Sequence, residues 1–309
     1  MTKPAGIIAA TATLFSDAEG AVDLGGLVSH CRRLLALGCD GVNLLGTTGE
    51  ATSLPVARRV EVMRAVAASG LPLDRFMVGT GAASLADAAA LTGEAVDLGF
   101  QGALVLPPFY YKGIDDAGLS AFFEDLIART DRTRLRLYLY NFPQNTGIRF
   151  STEWIRRLRD RHPDVLVGLK DSSGDIAAAK ALARDLPGFA VFPSTETAVA
   201  DIGSGAGAFA GVISASLNVT APCLGDWRDA GDLAARIDKA GAIRAALSEV
   251  PLVAAVKWAL ADLTGEPGWR SLCPPLVPLN AGQEARLIAA LAKTDYHSLR
   301  DSFTARRPN

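Results

Sequence analysis

The chain has 309 residues, 49% of them hydrophobic and 21% charged, with a formal net charge of −2; this composition builds a large core and excludes disorder and collagen-like structure. Basic and acidic residues number 31 and 33, leaving no electrostatic footprint for nucleic acid, and no run of about 20 unbroken apolar residues offers a membrane span. Four cysteines (Cys31, Cys39, Cys223, Cys273) without a C-x-x-C and three separated histidines (His30, His162, His297) indicate neither a disulfide framework nor a zinc cluster, so each cysteine reads as a small buried hydrophobe and the expected compartment is the cytoplasm.

The first apolar run spans Gly6 to Phe15. Its Ala10-Thr11-Ala12 imitates a signal-peptidase site, but the run is shorter than a secretory signal requires, and a strand over Gly6 to Ala10 is expected instead. Similar runs follow at Gly41 to Leu45, Phe76 to Thr80, Gly102 to Leu106, Leu135 to Tyr140, Val165 to Leu169, Phe189 to Pro193 and Ala208 to Ile213. Between them lie segments with apolar residues at helical spacing, among them "LGGLVSHCRRLLALG" (24–38), "VARRVEVMRAVAASG" (56–70) and "STEWIRRLRDRHP" (151–163), the last with Ser151 or Thr152 as N-cap.

Short, continuously apolar strands alternating with helices form a parallel sheet buried on both faces, and eight such units close most simply into a (β/α)8 TIM barrel of the α/β class. An open doubly wound sheet is the alternative, but "GTTGE" after the second strand is not its G-x-G-x-x-G turn. Beyond Ile213, residues 221 to 305 read as helical, with "AARIDKAGAIRAAL" and "VAAVKWALADL" the clearest amphipathic stretches and "EPGWRSLCPPLVPLN" a loop between helices. The expected organisation is a barrel core over 1–220 and a C-terminal helical extension over 221–309, packed as one unit.

Reactive groups in a parallel barrel gather at the carboxyl ends of the strands. The second strand ends in Gly46-Thr47-Thr48-Gly49-Glu50, the fourth leads to "PPFYYK" with Tyr110, the fifth closes at Tyr140-Asn141, and the sixth at Lys170-Asp171-Ser172-Ser173. Lys170, one of seven lysines, is alone in ending an apolar strand. An amine in a barrel mouth loses hydration, which favours the neutral form that attacks carbonyls, so Schiff-base chemistry is its natural use; the alternative is a lysine paired with Asp171 or Glu196. If strands five and six are neighbours, Tyr140 lies about 5 Å from Lys170 and its phenol can shuttle the protons of imine formation, with Thr47, Thr48 and Tyr110 as relay candidates. Taken alone, Tyr140 also fits a core aromatic. The glycines around Thr47 and Thr48 admit close approach of a carboxylate, or else "GTTGE" is a helix-start turn with Glu50 in the first helical turn.

"GTTGE", "YNFP" and "GLKDS", in this order and followed by "GVIS" at 211–214, resemble the dihydrodipicolinate synthase and N-acetylneuraminate lyase family of pyruvate-handling class I aldolases. The resemblance spans nearly the whole chain. It implies Lys170 as the Schiff-base lysine, Tyr140 as proton shuttle, and Thr47 and Thr48 with the Gly46 turn as the site of the 2-keto acid's carboxylate. It further implies that Tyr110 reaches into a neighbouring subunit's site, that Ser172 and Ile213 line the pocket, that the assembly is a homotetramer built as a dimer of dimers, and that neither metal nor organic cofactor is needed. Two departures narrow the reaction. The synthases carry an arginine two residues after the proline of "YN-x-P", where this chain has Asn145, so a condensing synthase loses support; "P-x-N-T-G" and "KDS" resemble 4-hydroxy-2-oxoglutarate aldolases and "YNFP" resembles 2-keto-3-deoxygluconate aldolases. In "FPSTETAV", Ser194 stands at a family glycine and Glu196 at an acidic position, where Glu196 is expected to accept hydrogen bonds from substrate hydroxyls; the alternative is a helix-start acid. A non-catalytic keto-acid-binding barrel is the remaining alternative, opposed by the presence of both Lys170 and Tyr140.

Overall fold

The computed structural model describes residues 4–16, 20–203, 205–229 and 231–304. Eight parallel strands alternate with helices: β1 Gly6–Ala10, α1 Leu24–Ala36, β2 Gly41–Leu44, α2 Val56–Ala68, β3 Phe76–Gly79, α3 Leu85–Asp97, β4 Gly102–Val105, α4 Asp116–Ala128, β5 Leu137–Asn141, the single turn α5 Pro143–Thr146, α6 Thr152–Arg161, β6 Leu166–Asp171, α7 Ile176–Asp185, β7 Ala190–Pro193 and β8 Gly211–Ser214. Consecutive strands from β1 to β7 pair in parallel, with a register shift in β5–β6 at Leu137/Tyr138, and β1 pairs also with β8. The backbone N–H of Ala210 donates to the Val191 carbonyl at 3.1 Å, bringing the approach to β8 onto β7, and the sheet closes into a TIM barrel.

Alternation along each strand divides the core in two. Ile7 and Ala9 point outward into the layer shared with the helices, whereas Ile8 and Ala10 point into the barrel with Met77, Leu104, Tyr138, Phe192 and Ile213. The inner space is kept open by glycine. A Cβ on Gly102 or Gly168 would lie 2.6 or 2.7 Å from the Tyr138 ring, so these two glycines give that ring its place inside the barrel. Helices start where short polar side chains accept from the first free N–H groups: Asp23, Ser84, Asp115, Ser151 and Asp175 cap α1, α3, α4, α6 and α7.

Four further helices follow: α8 Leu217–Leu224, α9 Leu233–Leu247, α10 Leu252–Thr264 and α11 Ala281–Leu291, with the short α12 Arg300–Thr304 at the end. The barrel's last helix, α8, runs past residue 220. Between β7 and β8 the chain forms a 3-10 helix over Glu196–Asp201, and α9 packs over it closely enough that a Cβ on Gly241 would meet the Thr197 methyl at 3.5 Å. Two expected strand boundaries shift for a physical reason. Gly205 and Gly207 adopt positive φ ahead of β8 and Phe209 makes only an isolated bridge with Ile202, so β8 starts at Gly211 rather than Ala208; β6 in turn extends through Lys170 and Asp171, because both pair with β5.

Candidate active site

The register of β5 on β6 sets Tyr140 opposite Lys170 and Asn141 opposite Asp171. Tyr140 and Lys170 are both inward residues near the carboxyl ends of their strands, and each is only 4% exposed. The Lys170 ammonium lies 4.4 Å from the centre of the Tyr140 ring, and Phe142 stacks on that ring at 5.8 Å. The turns beyond are stitched together by the paired motifs: the Asn141 amide donates to Asp171 at 2.9 Å, Asp171 accepts from the Ser173 N–H at 2.8 Å, and the Ser172 N–H donates to the Asn141 carbonyl at 2.8 Å. Asp171 is thus occupied by Asn141 and Ser173.

The Thr47 hydroxyl sits 3.2 Å from the Tyr140 hydroxyl. Burial pushes the Tyr140 phenol up, but the Lys170 charge and hydrogen bonds with Thr47, Ser172 and Lys170 outweigh it, and its pKa falls below the ordinary tyrosine value. An ionisable phenol beside an amine is suited to accepting and returning a proton. Tyr138, two residues earlier and inside the barrel, has no such neighbours, and burial drives its pKa up.

These groups open into one cleft of about 650 Å³. Lys170, Tyr140, Thr47, Thr48, Ser172, Ser194 and Ile213 line it, joined by Phe142, Asn145 and Ala215. The outer wall comes from the extension: Pro251 to Ala254 at the start of α10, and Leu272, Pro275, Leu276 and Val277 from the following loop. Arg244 of α9 also lines the cleft. It had no signal in the sequence, since it belongs to an ordinary amphipathic helix more than 70 residues beyond Lys170.

Three expected residues lie elsewhere. Glu196 is fully buried, and its carboxylate accepts from Ser214, Ser216 and Thr220 at 3.0, 2.7 and 3.0 Å and from Arg244 at 3.4 Å. All its acceptor capacity faces protein, so it orients Arg244 rather than meeting substrate hydroxyls. Gly46 lies behind the turn; its carbonyl accepts from the Ala51 N–H at 3.3 Å, and a Cβ there would lie 2.9 Å from the Asn43 amide. Tyr110 stands 74% exposed beside Tyr111, outside this cleft. Glu50 starts no α-helix; it adopts a left-handed conformation before a 3-10 turn over Ala51–Ser53.

All four cysteines are buried. Burial pushes the Cys31 thiol up to about 12 and the Cys223 thiol up to about 11, which leaves them as packing groups rather than nucleophiles. Among the described residues no group of three His, Cys, Asp or Glu is placed to hold a metal ion, and no helix is long and apolar enough to cross a membrane.

A family model described as the dihydrodipicolinate synthetase family matches residues 3–294. An uncharacterized DapA-like lyase of Chloroflexus aurantiacus is 35% identical over 94% of this chain and 97% of its own length. A putative 2-dehydro-3-deoxy-D-gluconate aldolase, YagE of Escherichia coli K12, is 27% identical over 91% of this chain and 94% of its own. Among solved structures, dihydrodipicolinate synthase from Agrobacterium tumefaciens superposes with a TM-score of 0.83 at 28% identity, covering 94% of this chain and 99% of that one. YagE in complex with pyruvate superposes with a TM-score of 0.81 at 25% identity, over the same shares.

Proposed function

The chain belongs to the dihydrodipicolinate synthetase family, and from that premise we propose that it cleaves or dehydrates a hydroxylated 2-keto acid through an imine on Lys170. Relatives in the family are lyases and aldolases, and the chain is an enzyme of that class. The observation that carries the reading is the set of three groups in one cleft: Lys170 opposite Tyr140 in the barrel register, and the Thr47 hydroxyl 3.2 Å from the phenol.

In this reading the neutral Lys170 amine attacks C2 of the keto acid, held by its carboxylate on the hydroxyls and N–H groups of Thr47 and Thr48. Tyr140 takes the proton released by the attacking nitrogen and returns one to the carbinolamine hydroxyl, which leaves as water. The iminium then withdraws the electron pair of the C3–C4 bond as the C4 hydroxyl loses its proton, releasing an aldehyde and leaving an enamine. Protonation at C3 and hydrolysis of the imine return pyruvate and free Lys170. The positive nitrogen beside the breaking bond is the principal electrostatic stabilisation, and Ser172, Ser194 and Ile213 shape the pocket around it.

No metal or organic cofactor is assigned a step, because the amine itself supplies the electron sink. The assembly we propose is a homotetramer in the cytoplasm, in which the exposed Tyr110 completes a neighbour's proton relay; the partner is a small 2-keto acid, with no nucleic acid or membrane involved.

A second reading, condensation of pyruvate with an aldehyde bearing its own carboxylate, is favoured by Arg244: it puts a cation in the cleft although Asn145 stands where the synthases have arginine. Pyruvate release from a panel of 4-hydroxy-2-keto acids, assayed beside condensation of pyruvate with aspartate semialdehyde, ranks the two. Cleavage faster than condensation is expected; the reverse order would replace the aldolase with a synthase.

A further inference from the structure

The turn that carries Thr47 and Thr48 is bracketed by two strained residues: Leu45 has φ 53° and Glu50 has φ 55°. A residue with a side chain keeps a left-handed backbone only where its surroundings over-determine it. At Glu50 those surroundings come from the C-terminal extension. The Glu50 carboxylate is fully buried; Oε1 accepts from Lys257 Nζ at 2.6 Å, and Oε2 accepts from the Cys273 N–H at 2.8 Å. Lys257 belongs to α10, is equally buried, and holds its ammonium 4.2 Å from the centre of the Phe15 ring. From the barrel side, Thr13 donates to the Gly49 carbonyl at 2.8 Å.

A fully buried ion pair is a poor way to gain stability alone, since a well-packed apolar pair of the same volume does as well or better. What it supplies here is direction. The carboxylate ties the last residue of the turn to a helix and a loop that share the cleft's outer wall, and it fixes the backbone two residues beyond Thr48. We propose that Glu50 and Lys257 are positioning residues for the keto-acid carboxylate, holding the 46–50 turn in the one conformation that aims the Thr47 and Thr48 groups at it. The inference rests on the assignment of those two threonines to the carboxylate. The extension thereby acts on binding through the turn, since the Glu50 carboxylate is taken up by Lys257 and the Cys273 N–H.

Borohydride trapping of the imine tests this with two ketones, pyruvate and the carboxylate-free acetone, on the wild-type enzyme, Lys257→Met, Glu50→Gln, and the charge-free double variant Glu50→Gln/Lys257→Met, which remains informative should a single change unfold the chain. The pyruvate concentration for half-maximal trapping on Lys170 is expected to rise about tenfold or more in Lys257→Met and in the double variant, with the maximal trapping rate within about threefold of wild type. The acetone concentration for half-maximal trapping is expected to stay within about twofold, because acetone has no carboxylate for the turn to hold, while its maximal rate follows that of pyruvate through the Thr47–Tyr140 contact. Unchanged half-saturation for pyruvate in variants with a lowered melting temperature, or an equal rise in half-saturation for both ketones, would reduce the pair to a structural role and overturn the proposal. Failure of the wild-type enzyme to trap pyruvate on Lys170 would instead remove the imine reading beneath it.

Discussion

Tyr140 is the residue on which the proposed chemistry turns. The same phenol that burial pushes up is brought below the ordinary tyrosine value by the Lys170 charge and by hydrogen bonds from its neighbours, so its ionisation depends on an amine that the reaction consumes. The phenolate absorbance of the wild-type enzyme is expected to include one component titrating below about pH 10; in Lys170→Met that component moves upward, since burial then acts without the opposing charge. A component unmoved by that substitution contradicts the coupling. Tyr140→Phe is expected to slow imine formation by about 10²–10⁴-fold with a circular dichroism spectrum like that of wild type, measured by rapid borohydride quench. Much of this was legible in the sequence, because "YNFP" and "GLKDS" end consecutive apolar runs and parallel neighbours share a register. Glu196 was not. An acid next to a strand end reads alike whether its carboxylate faces solvent, substrate or a ring of hydroxyls, and only folding brings Ser214, Ser216, Thr220 and Arg244 around it.

Among elements, the eight strands were recoverable because both faces of each are buried, which writes an unbroken apolar run into the chain. Their ends were less so. Pairing rather than composition decides where a strand stops, and β6 continues through a lysine and an aspartate that apolar content alone excludes. Glycine carries a second message that periodicity misses. Gly168 lies on β6 where a Cβ would press on the Ala190 carbonyl and sit 2.7 Å from the Tyr138 ring, and neither the backbone nor a ring enclosed in the barrel can give way. Gly168→Ala is therefore expected to cost ~2 kcal/mol or more, read as a lowered urea midpoint at unchanged slope; a neutral effect would show that the barrel interior is looser than described. Ser151 makes a milder case. It caps α6 by accepting from the Trp154 N–H at 3.1 Å, and Ser151→Ala is expected to cost ~1 kcal/mol without altering imine trapping.

In the molecule as a whole, barrel and extension meet at the cleft of the proposed reaction. The barrel supplies Lys170, Tyr140 and the turn with Thr47 and Thr48, while α9, α10 and the loop after α10 supply Arg244 and the outer wall. The sequence announced the extension as helical but not as a wall of the site, because contacts such as Glu50 with Lys257 join residues that no local pattern relates. Tyr110 and Tyr111, 74% and 71% exposed, are expected to be covered in a homotetramer, seen as a four-chain mass in sedimentation. Mixing inactive Tyr110→Ala with inactive Lys170→Ala subunits is then expected to restore part of the activity, since some neighbours regain a complete set; sedimentation as a monomer with full activity contradicts this. The imine itself is tested most directly by peptide mapping of the enzyme after incubation with pyruvate and borohydride. One reduced pyruvyl adduct is expected, on Lys170, lost in Lys170→Ala; an unmodified Lys170 peptide, or an adduct on another lysine, would contradict the proposed chemistry.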